Sequence, residues 1–278
     1  MQLGLDVSQH QLSWDEIVGR ARFAEEAGFD GVWVFDHFKA LYADPHGPCL
    51  EGWTLLAGLA AATTRIRLGP LVTGITYRHP SILATEAVTV DHISGGRLEL
   101  ALGAAWHDGE HRELGIDFPR PAERARRLDE AIEVIDLLMT TDGASFEGKF
   151  FRLDRATYNP KPVQKPRPPL WIGAGGEKLM LPLVARRADV WHGFGNVASI
   201  KRKMAIIDAE AARAGRDPAA IRRATALSIS QPWDEVMNAA ESMAALGISY
   251  LTVSWPGEGR GRVEEFVTQL GADIRALN

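Results

Sequence analysis

The sequence predicts an α/β fold, a (β/α)8 barrel of the TIM type, on three observations. Short apolar runs alternate with amphipathic helical patterns along the whole chain, about eight of each, which favours a parallel sheet. The length of 278 residues is the usual size of such a barrel. The motif Gly-x-Gly-x-x-Gly does not follow the first strand, which disfavours the alternative, a doubly wound open sheet.

Each predicted strand is a short apolar run that stops at glycine or at polar residues. These runs cover residues 3–7, 32–35, 66–72, 98–102, 170–172, 189–191, 224–229 and 250–253. The predicted helices have apolar residues three and four positions apart. They cover residues 14–27, 51–62, 80–93, 122–139, 178–187, 198–214, 233–246 and 262–275. Pro80 suits the first turn of its helix, whereas Pro182 indicates that the fifth helix starts after Glu177 or kinks.

We expect one domain over residues 1–278, with insertions after strands two and four and before strand five. The last insertion covers about residues 142–169. Its first part, around residues 146–150, is typical of a small surface hairpin. Residues 160–169 hold too many prolines for a helix or a central strand, which predicts an extended crossing segment.

The composition is that of an ordinary globular protein and argues against several classes of partner. A net charge of −5 gives no electrostatic reason to expect nucleic acid or an anionic membrane surface. No apolar run reaches membrane-spanning length. Cys49 is the only cysteine, and the N-terminal residues do not have the pattern of a secretory signal, so we expect the cytoplasm.

A ligand site is expected where the barrel strands end, because ligands of parallel barrels bind at the carboxyl ends of the strands. The least regular stretches of the sequence lie at these ends: residues 36–37, 73–76, 104–111 and 173–176. Within the third group, small residues leave room for a close approach to the backbone, and polar and aromatic residues follow them.

Three of these candidates have both a chemical and a structural interpretation. His37 can donate a proton or hydrogen-bond a carbonyl, or it can be a turn histidine under a loop. Trp106 can stack on an aromatic ring or cover the core. The segment Gly173-Ala174-Gly175-Gly176 can hold a phosphate with its N–H groups, or it can be a tight turn that needs glycine.

A zinc site is the main competing interpretation of the third group, and we disfavour it. His107, Glu110 and His111 match the pattern H-x-x-E-H of inverted zinc peptidases. Gly109, however, weakens the helix that would place both histidines on one face, and no third carboxylate follows in a suitable helix. We therefore expect no metal.

An ordered set of motifs along nearly the whole chain resembles the bacterial luciferase-like family, in particular its branch that depends on the deazaflavin coenzyme F420. The motifs are GVWVFDH (31–37), GPCLEGW (47–53), TRIRLGPLVT (64–73), YRHP (77–80), DHISGGR (91–97), LGAAWH (102–107) and NPKP (159–162). The fold of that family is a TIM barrel with insertions, in agreement with the pattern of elements.

The resemblance implies an oxidoreductase that transfers a hydride between C5 of F420 and a small organic substrate. It implies His37 as the group that donates a proton to the substrate or polarises it, and an acidic residue, Asp108 or Glu110, near the ring. A non-prolyl cis peptide that follows strand three in relatives maps to Gly74-Ile75. The remaining residues expected to bind the cofactor are Asp36, Thr73, Gly74, Ile75, Ala104, Ala105, Trp106 and, for the phosphate, Gly173, Ala174, Gly175 and Gly176.

The resemblance also leaves open points. Relatives commonly have Gly-x-Gly-Trp after strand four, and Ala105 replaces the second glycine here, which leaves the choice of cofactor open. The alternatives are an FMN-dependent monooxygenase on the same barrel and a non-catalytic flavin-binding relative. Trp53, Trp106 and the loop around Tyr42 suggest an apolar or aromatic substrate, and the resemblance implies a homodimer.

Overall fold

A computed structural model of the chain describes residues 1–42 and 44–277. The strands are β1 (Gln2–Asp6), β2 (Gly31–Val34), β3 (Arg67–Pro70), β4 (Thr73–Gly74), β5 (Leu100–Gly103), β6 (Ala144–Glu147), β7 (Arg152–Ala156), β8 (Leu170–Gly173), β9 (Val190–Gly193), β10 (Arg222–Leu227) and β11 (Tyr250–Ser254). The helices are α1 (Trp14–Glu26), α2 (Gly52–Ala62), α3 (Pro80–Ser94), α4 (Asp108–Leu114), α5 (Pro121–Thr140), α6 (Met180–Arg187), α7 (Val197–Arg213), α8 (Trp233–Ala245), α9 (Arg260–Phe266) and α10 (Ala272–Arg275).

In the described part of the chain, nine parallel strands form one sheet in the order β3-β2-β1-β11-β10-β9-β8-β5-β4. The sheet closes because the Leu68 N–H donates to the Arg97 carbonyl (3.1 Å) and the Glu99 N–H donates to the Leu68 carbonyl (2.9 Å). β3 and β4 are two halves of one interrupted barrel strand, separated by two residues. The predicted eight-stranded (β/α)8 barrel is therefore confirmed.

Most elements begin and end within a few residues of the predicted limits. α6 starts at Met180, so Pro182 lies in its first turn, where proline is tolerated. The sequence does not predict α4, because Gly109 disfavours a helix there. His107 caps this short helix by accepting a hydrogen bond from the Glu110 N–H (2.9 Å), which offsets the low helix propensity of glycine.

The segment between α5 and β8 has the two parts that the sequence predicts. β6 and β7 form the hairpin, and the proline-rich stretch after it is extended, with cis bonds at Asn159–Pro160 and Lys165–Pro166. Gln164 fixes this crossing to α3, since its backbone and side-chain N–H groups donate to the two oxygens of Asp91 (3.0 and 2.8 Å). None of the described helices is long and apolar enough to cross a membrane.

Aromatic side chains fill the amino-terminal end of the barrel. Trp33, Trp171 and Tyr250 pack edge to face, and the Trp33 indole donates to the Tyr250 hydroxyl (3.0 Å). Glycine on β1 and β2 makes room for them: a Cβ at Gly4 or Gly31 would lie 2.4 Å from the Tyr250 hydroxyl oxygen. These three side chains form a buried cluster inside the barrel at this end.

The expected position of the cis peptide was wrong. The non-prolyl cis bond joins Leu71 and Val72, three residues before Gly74-Ile75. The prediction extended the third strand to Val72, whereas β3 ends at Pro70, so the interruption lies earlier in the chain. The Val72 side chain lies over two glycines that end neighbouring strands, since a Cβ at Gly103 or Gly173 would lie 2.6 or 2.8 Å from its methyl groups.

Ala105, which stands where relatives commonly have glycine, adopts a left-handed backbone conformation with φ of 60°. This conformation costs a residue with a side chain roughly 1–2 kcal/mol. We expect Ala105→Gly to raise the free energy of unfolding by roughly 0.5–1 kcal/mol, because the relief exceeds the entropy that glycine adds to the unfolded chain. The measurement is the midpoint of urea unfolding, followed by circular dichroism.

Ala104→Gly is the matched control, because the φ of Ala104 is negative. At this position glycine adds entropy to the unfolded chain and relieves no backbone strain. We therefore expect Ala104→Gly to lower the free energy of unfolding by roughly 0.5–1 kcal/mol. Equal effects of the two substitutions would contradict the strain at Ala105.

Candidate active site

A cavity of about 760 Å³ opens at the carboxyl ends of the barrel strands. Residues that end or follow seven of the strands line it: β1, β2, β4, β5, β8, β9 and β11. It has the size of a site for a cofactor or a drug-sized molecule. The expectation that a ligand site lies at the strand ends agrees with this cavity.

A carboxylate–histidine pair lies on one wall of the cavity. The Nδ1 atom of His37 lies 2.7 Å from Oε2 of Glu110, whose side chain is fully buried. His37 lines the cavity, and its Nε2 atom has no hydrogen-bond partner among the described residues. A carboxylate on Nδ1 selects the tautomer with the proton on Nδ1, which leaves Nε2 with its lone pair toward a ligand.

Glu110 accepts hydrogen bonds from three different groups. Besides the His37 ring, the Phe38 N–H donates to its Oε1 atom (2.8 Å), and the Tyr77 hydroxyl donates to its Oε2 atom. Burial raises the pKa of this carboxyl, but the hydrogen bonds from His37, Tyr77 and Phe38 outweigh burial and lower the pKa to about 2. Glu110 is thus held as a carboxylate that fixes the His37 ring.

Contacts on both sides of its ring hold Tyr77 in position. A Cβ at Gly74 would lie 2.8 Å from a ring carbon, so glycine at the end of β4 is needed for the tyrosine to lie there. His111 stacks on the ring, with 4.6 Å between the centroids. Burial, followed by the hydrogen bond to Glu110, raises the pKa of the hydroxyl, so Tyr77 stays protonated and acts as a donor.

His107, Glu110 and His111 of the H-x-x-E-H pattern each make hydrogen bonds within the protein. His107 caps α4 through Nδ1, and Glu110 binds His37 and Tyr77. The His111 ring bonds the Thr76 hydroxyl through Nε2 (2.6 Å) and the His107 carbonyl through Nδ1 (2.8 Å). No group of His, Cys, Asp and Glu side chains among the described residues has a geometry that could hold a metal ion.

A second buried ion pair lies behind the cavity wall. Arg78 donates to Oδ2 of Asp36 (2.7 Å) and also to Glu51. Burial raises the pKa of the Asp36 carboxyl, and the positive charge of Arg78 offsets this in part. Oδ1 of Asp36 is buried and has no hydrogen-bond partner among the described residues.

Most of the predicted site residues lie around the cavity. Those that line it are Asp36, His37, Gly74, Ala104, Ala105, Trp106, Gly173, Ala174 and Gly175, together with Tyr42 from the loop after β2. Trp106 is 62% exposed. Its ring and the His37 ring are arranged edge to face, with 5.8 Å between the ring centroids. The structure thus brings together residues from four separate stretches of the sequence.

Five predicted residues do not line the cavity. Trp53 is buried, and its indole donates to the Thr73 hydroxyl (3.0 Å), so this pair supports the strand end from behind. Ile75 is also buried, and its N–H donates to the Gly103 carbonyl. The side chain of Asp108 is 66% exposed and faces Arg112.

Gly176 is the fifth of these residues. Its carbonyl accepts hydrogen bonds from the N–H groups of Met180 and Leu181 (3.0 and 3.1 Å), so the first N–H groups of α6 already have a partner. Gly175 remains open, because a Cβ there would meet only the Nζ atom of Lys203, at 3.6 Å. An anion at this end of the cavity would therefore lie beside Gly175 and Lys203 and not on the helix terminus.

Sequence reasoning missed Tyr77, Arg78 and the support from His111, and it named Glu110 only as an alternative to Asp108. The signal was in residues 108–114: in a helix, the exposed Asp108, Arg112 and Glu113 leave Glu110 and His111 on the opposite, buried face. Without a helix at Gly109, the two acidic residues could not be told apart.

The fold and the cavity together define a barrel protein with a ligand site built around a carboxylate–histidine pair. The model of the luciferase-like monooxygenases matches residues 1–269, and the chain belongs to that family. A relative from Kineococcus radiotolerans, an F420-dependent glucose-6-phosphate dehydrogenase, is 34% identical over 178 residues, which are 63% of this chain and 51% of the relative.

An FMNH2-dependent dimethylsulfone monooxygenase of Pseudomonas putida is 31% identical over 217 residues, 76% of this chain and 59% of the relative. The chain thus spans about half the length of these two curated relatives. An F420-dependent secondary alcohol dehydrogenase, solved with an F420–acetone adduct, superposes with a TM-score of 0.84 over 98% of both chains at 22% identity, which shows the shared fold.

The low pKa of Glu110 makes a prediction about stability. Glu110 of the unfolded chain takes up a proton near pH 4.5, whereas in the folded protein it does so near pH 2. Its contribution is therefore complete above pH 4.5 and is lost as the pH falls toward 2. We expect the difference in free energy of unfolding between wild type and Glu110→Gln to narrow over this range, measured by urea unfolding at several pH values.

Asp108→Asn removes an exposed carboxylate from the same helix and controls for the change in net charge. A difference between wild type and Glu110→Gln that is the same at pH 6 and pH 3 would contradict the role of Glu110 as a hydrogen-bonded carboxylate.

Proposed function

We propose that this protein is an oxidoreductase that transfers a hydride between coenzyme F420 and a small organic alcohol or its carbonyl form. The observation that carries the proposal is the 2.7 Å contact between Glu110 and Nδ1 of His37, which leaves Nε2 of the histidine on the cavity wall. F420 is supported by the F420-dependent dehydrogenases among the relatives.

The cavity walls fit a tricyclic ring with an anionic side chain. Leu71 and Val72 offer an apolar surface between β3 and β4, and Trp106 offers an aromatic face after the neighbouring strand β5. At the β8 side, Gly175 leaves space that a Cβ would fill, and the Lys203 ammonium lies next to that space. We infer that the ring lies against Leu71 and Val72, with Ala104 and Ala105 beside it, and that the phosphate lies near Gly175.

When bound, F420 would supply the hydride acceptor or donor at its C5 atom. His37 performs the proton chemistry of the protein: in alcohol oxidation its Nε2 atom takes the hydroxyl proton, and in carbonyl reduction it returns one. Glu110 stabilises the imidazolium that forms and keeps the ring oriented. Tyr77 holds the Glu110 carboxylate in place, so of the two acidic residues that the resemblance leaves open, Asp108 and Glu110, we assign Glu110 to the site.

An FMN-dependent monooxygenase is the second candidate, since the Pseudomonas putida relative depends on FMNH2. The same walls would take that ring, but a general base on a substrate hydroxyl suits alcohol oxidation better than oxygen activation. A non-catalytic flavin-binding protein is the third candidate. It gives no reason for a buried carboxylate that fixes one tautomer of a cavity histidine.

Three organisational features belong to the same proposal. We infer one domain over residues 1–278, with the insertion at about residues 142–169, as the continuous family match over residues 1–269 supports. We also infer a cytoplasmic homodimer. The compartment follows from the single cysteine, and the dimer follows from the family resemblance.

Separate titrations with F420 and FMN test the cofactor, with tryptophan fluorescence as the readout. Trp106 and Trp255 line the cavity, so a ring bound there should quench them. We expect tight binding of F420 and weaker binding of FMN. Tight FMN binding without F420 binding would contradict the proposal, and binding of neither would favour the non-catalytic candidate.

Replacing His37 by Ala tests the role of the histidine. We expect kcat to fall about 100-fold or more with little change in F420 affinity, because the ring supplies a proton acceptor and not the main cofactor contact. His92→Ala is the matched control, since that histidine is exposed and bonds only the Lys161 carbonyl. Full activity of His37→Ala with an alcohol that wild type oxidises would remove His37 from the chemistry.

A further inference from the structure

The wall opposite the carboxylate–histidine pair has a polar group of its own. In the order of the closed barrel, three strands separate β2 from β9 in either direction, counting β3 and β4 as one, so these strands face each other across the mouth. His192 lies on β9 and lines the cavity, as His37 does after β2. A ligand that reaches across the mouth would meet both histidines.

The His192 ring is buried, and its two nitrogens have different surroundings. Nε2 lies 3.0 Å from the Thr252 hydroxyl oxygen, and that hydroxyl donates its own proton to the Thr225 carbonyl (3.4 Å). Thr252 must therefore accept from Nε2, and the remaining nitrogen, Nδ1, is an acceptor. Nδ1 is buried and has no hydrogen-bond partner in the described part of the chain. Burial lowers the pKa of His192 to about 4, so the ring is neutral at pH 7.

Asp6 and Ser254 extend this wall toward β1. They are register partners on β1 and β11, and both line the cavity. One oxygen of Asp6 accepts the Ser8 N–H (3.0 Å). Burial raises the pKa of Asp6 to about 6, which still leaves the carboxylate mostly ionised at pH 7. The wall thus consists of the Asp6 carboxylate, the Nδ1 acceptor of His192 and the Ser254 hydroxyl, which can donate or accept a hydrogen bond.

We propose that this wall selects the substrate: Nδ1 of His192 accepts a hydrogen bond from a second hydroxyl of an uncharged alcohol, while His37 serves the carbinol that reacts. The inference rests on the proposed function for its first half, the reaction at His37. Its second half, the selection of an uncharged hydrogen-bond donor, depends only on the groups of the wall.

A phosphorylated or carboxylated substrate does not suit this surface. The Asp6 carboxylate and the unprotonated Nδ1 atom of His192 would both repel an anion, and none of the described residues that line the cavity is Lys or Arg. The Kineococcus radiotolerans relative is a glucose-6-phosphate dehydrogenase. The present protein is expected to differ from it in that it accepts the uncharged compound and not its phosphate ester.

Two matched pairs of compounds test the inference on the F420-loaded protein. Cyclohexane-1,4-diol and cyclohexanol differ in the second hydroxyl at the far end of the ring, and glucose and glucose 6-phosphate differ in charge. We expect a kcat/KM about tenfold higher for the diol than for cyclohexanol, the value of one hydrogen bond to an otherwise unpaired buried acceptor. We expect no turnover of glucose 6-phosphate.

Two substitutions assign the preference to His192. His192→Leu removes the acceptor and should abolish the preference for the diol, whereas His192→Asn keeps an acceptor oxygen near the position of Nδ1 and should retain it. His92→Leu, at an exposed histidine, should leave the preference unchanged. Thermal unfolding by circular dichroism verifies that each variant is folded, and the comparison between Leu and Asn separates loss of the acceptor from loss of the Thr252 bond.

Dissociation constants of the same compounds, measured on cofactor-free protein by tryptophan fluorescence, separate the proposed function from the proposed role of the His192 wall. If F420 does not bind but the diol still binds more tightly than cyclohexanol in a manner that depends on His192, the proposed function fails and the wall is confirmed. Equal affinity for diol and cyclohexanol, a preference that survives His192→Leu, or affinity for glucose 6-phosphate that equals affinity for glucose would each overturn the inference.

Discussion

The site depends on one buried carboxylate. Glu110 accepts hydrogen bonds from a ring nitrogen, a phenol and a backbone amide, and these three donors come from the loop after β2 and the turn after β4. Each donor satisfies the carboxylate, and the carboxylate in turn fixes each donor. Because a buried charge without such partners would cost several kcal/mol, the segments that supply them must be in place before Glu110 can be buried.

The glycines at the strand ends leave space for protein side chains as well as for a ligand. Gly74 leaves space for the Tyr77 ring, and Gly103 and Gly173 leave space for Val72. Small residues at strand ends thus have a structural use even where a cofactor is expected. The aromatic residues Trp33, Trp171 and Tyr250 fill the interior at the opposite end of the barrel.

The fold could be predicted from the sequence because it follows from periodicity. Alternation of short apolar runs with helical patterns gave the barrel, and the rule that ligands bind at strand ends gave His37, Gly74 and Ala105 as cavity residues. The carboxylate partner could not be chosen in this way, because Asp108 and Glu110 differ only in which side of a short helix they occupy. Whether that helix forms depends on the cap at His107, a single contact that periodicity does not reveal.

The remaining differences have the same physical origin. The sequence predicts Trp53 and Thr73 at the ligand, but the two residues bond each other behind the cavity wall. The spacing of residues at a strand end does not show which side chains point into the cavity and which point away from it. The cis peptide lies earlier than expected because β3 ends at Pro70. The polar wall of Asp6 and His192 was not expected at all, since it needs three strands that are distant in sequence.

The central claim is that Glu110 holds His37 in the tautomer that presents an unprotonated Nε2 to the cavity. Nitrogen-15 NMR of histidine-labelled protein, at a pH where the imidazole rings are neutral, tests it directly, with the His37 signals assigned from His37→Ala. The account predicts a protonated Nδ1 coupled to the carboxylate and an Nε2 with the chemical shift of an unprotonated nitrogen. A His37 ring that carries its proton on Nε2, or that exchanges freely between the two tautomers, would contradict it.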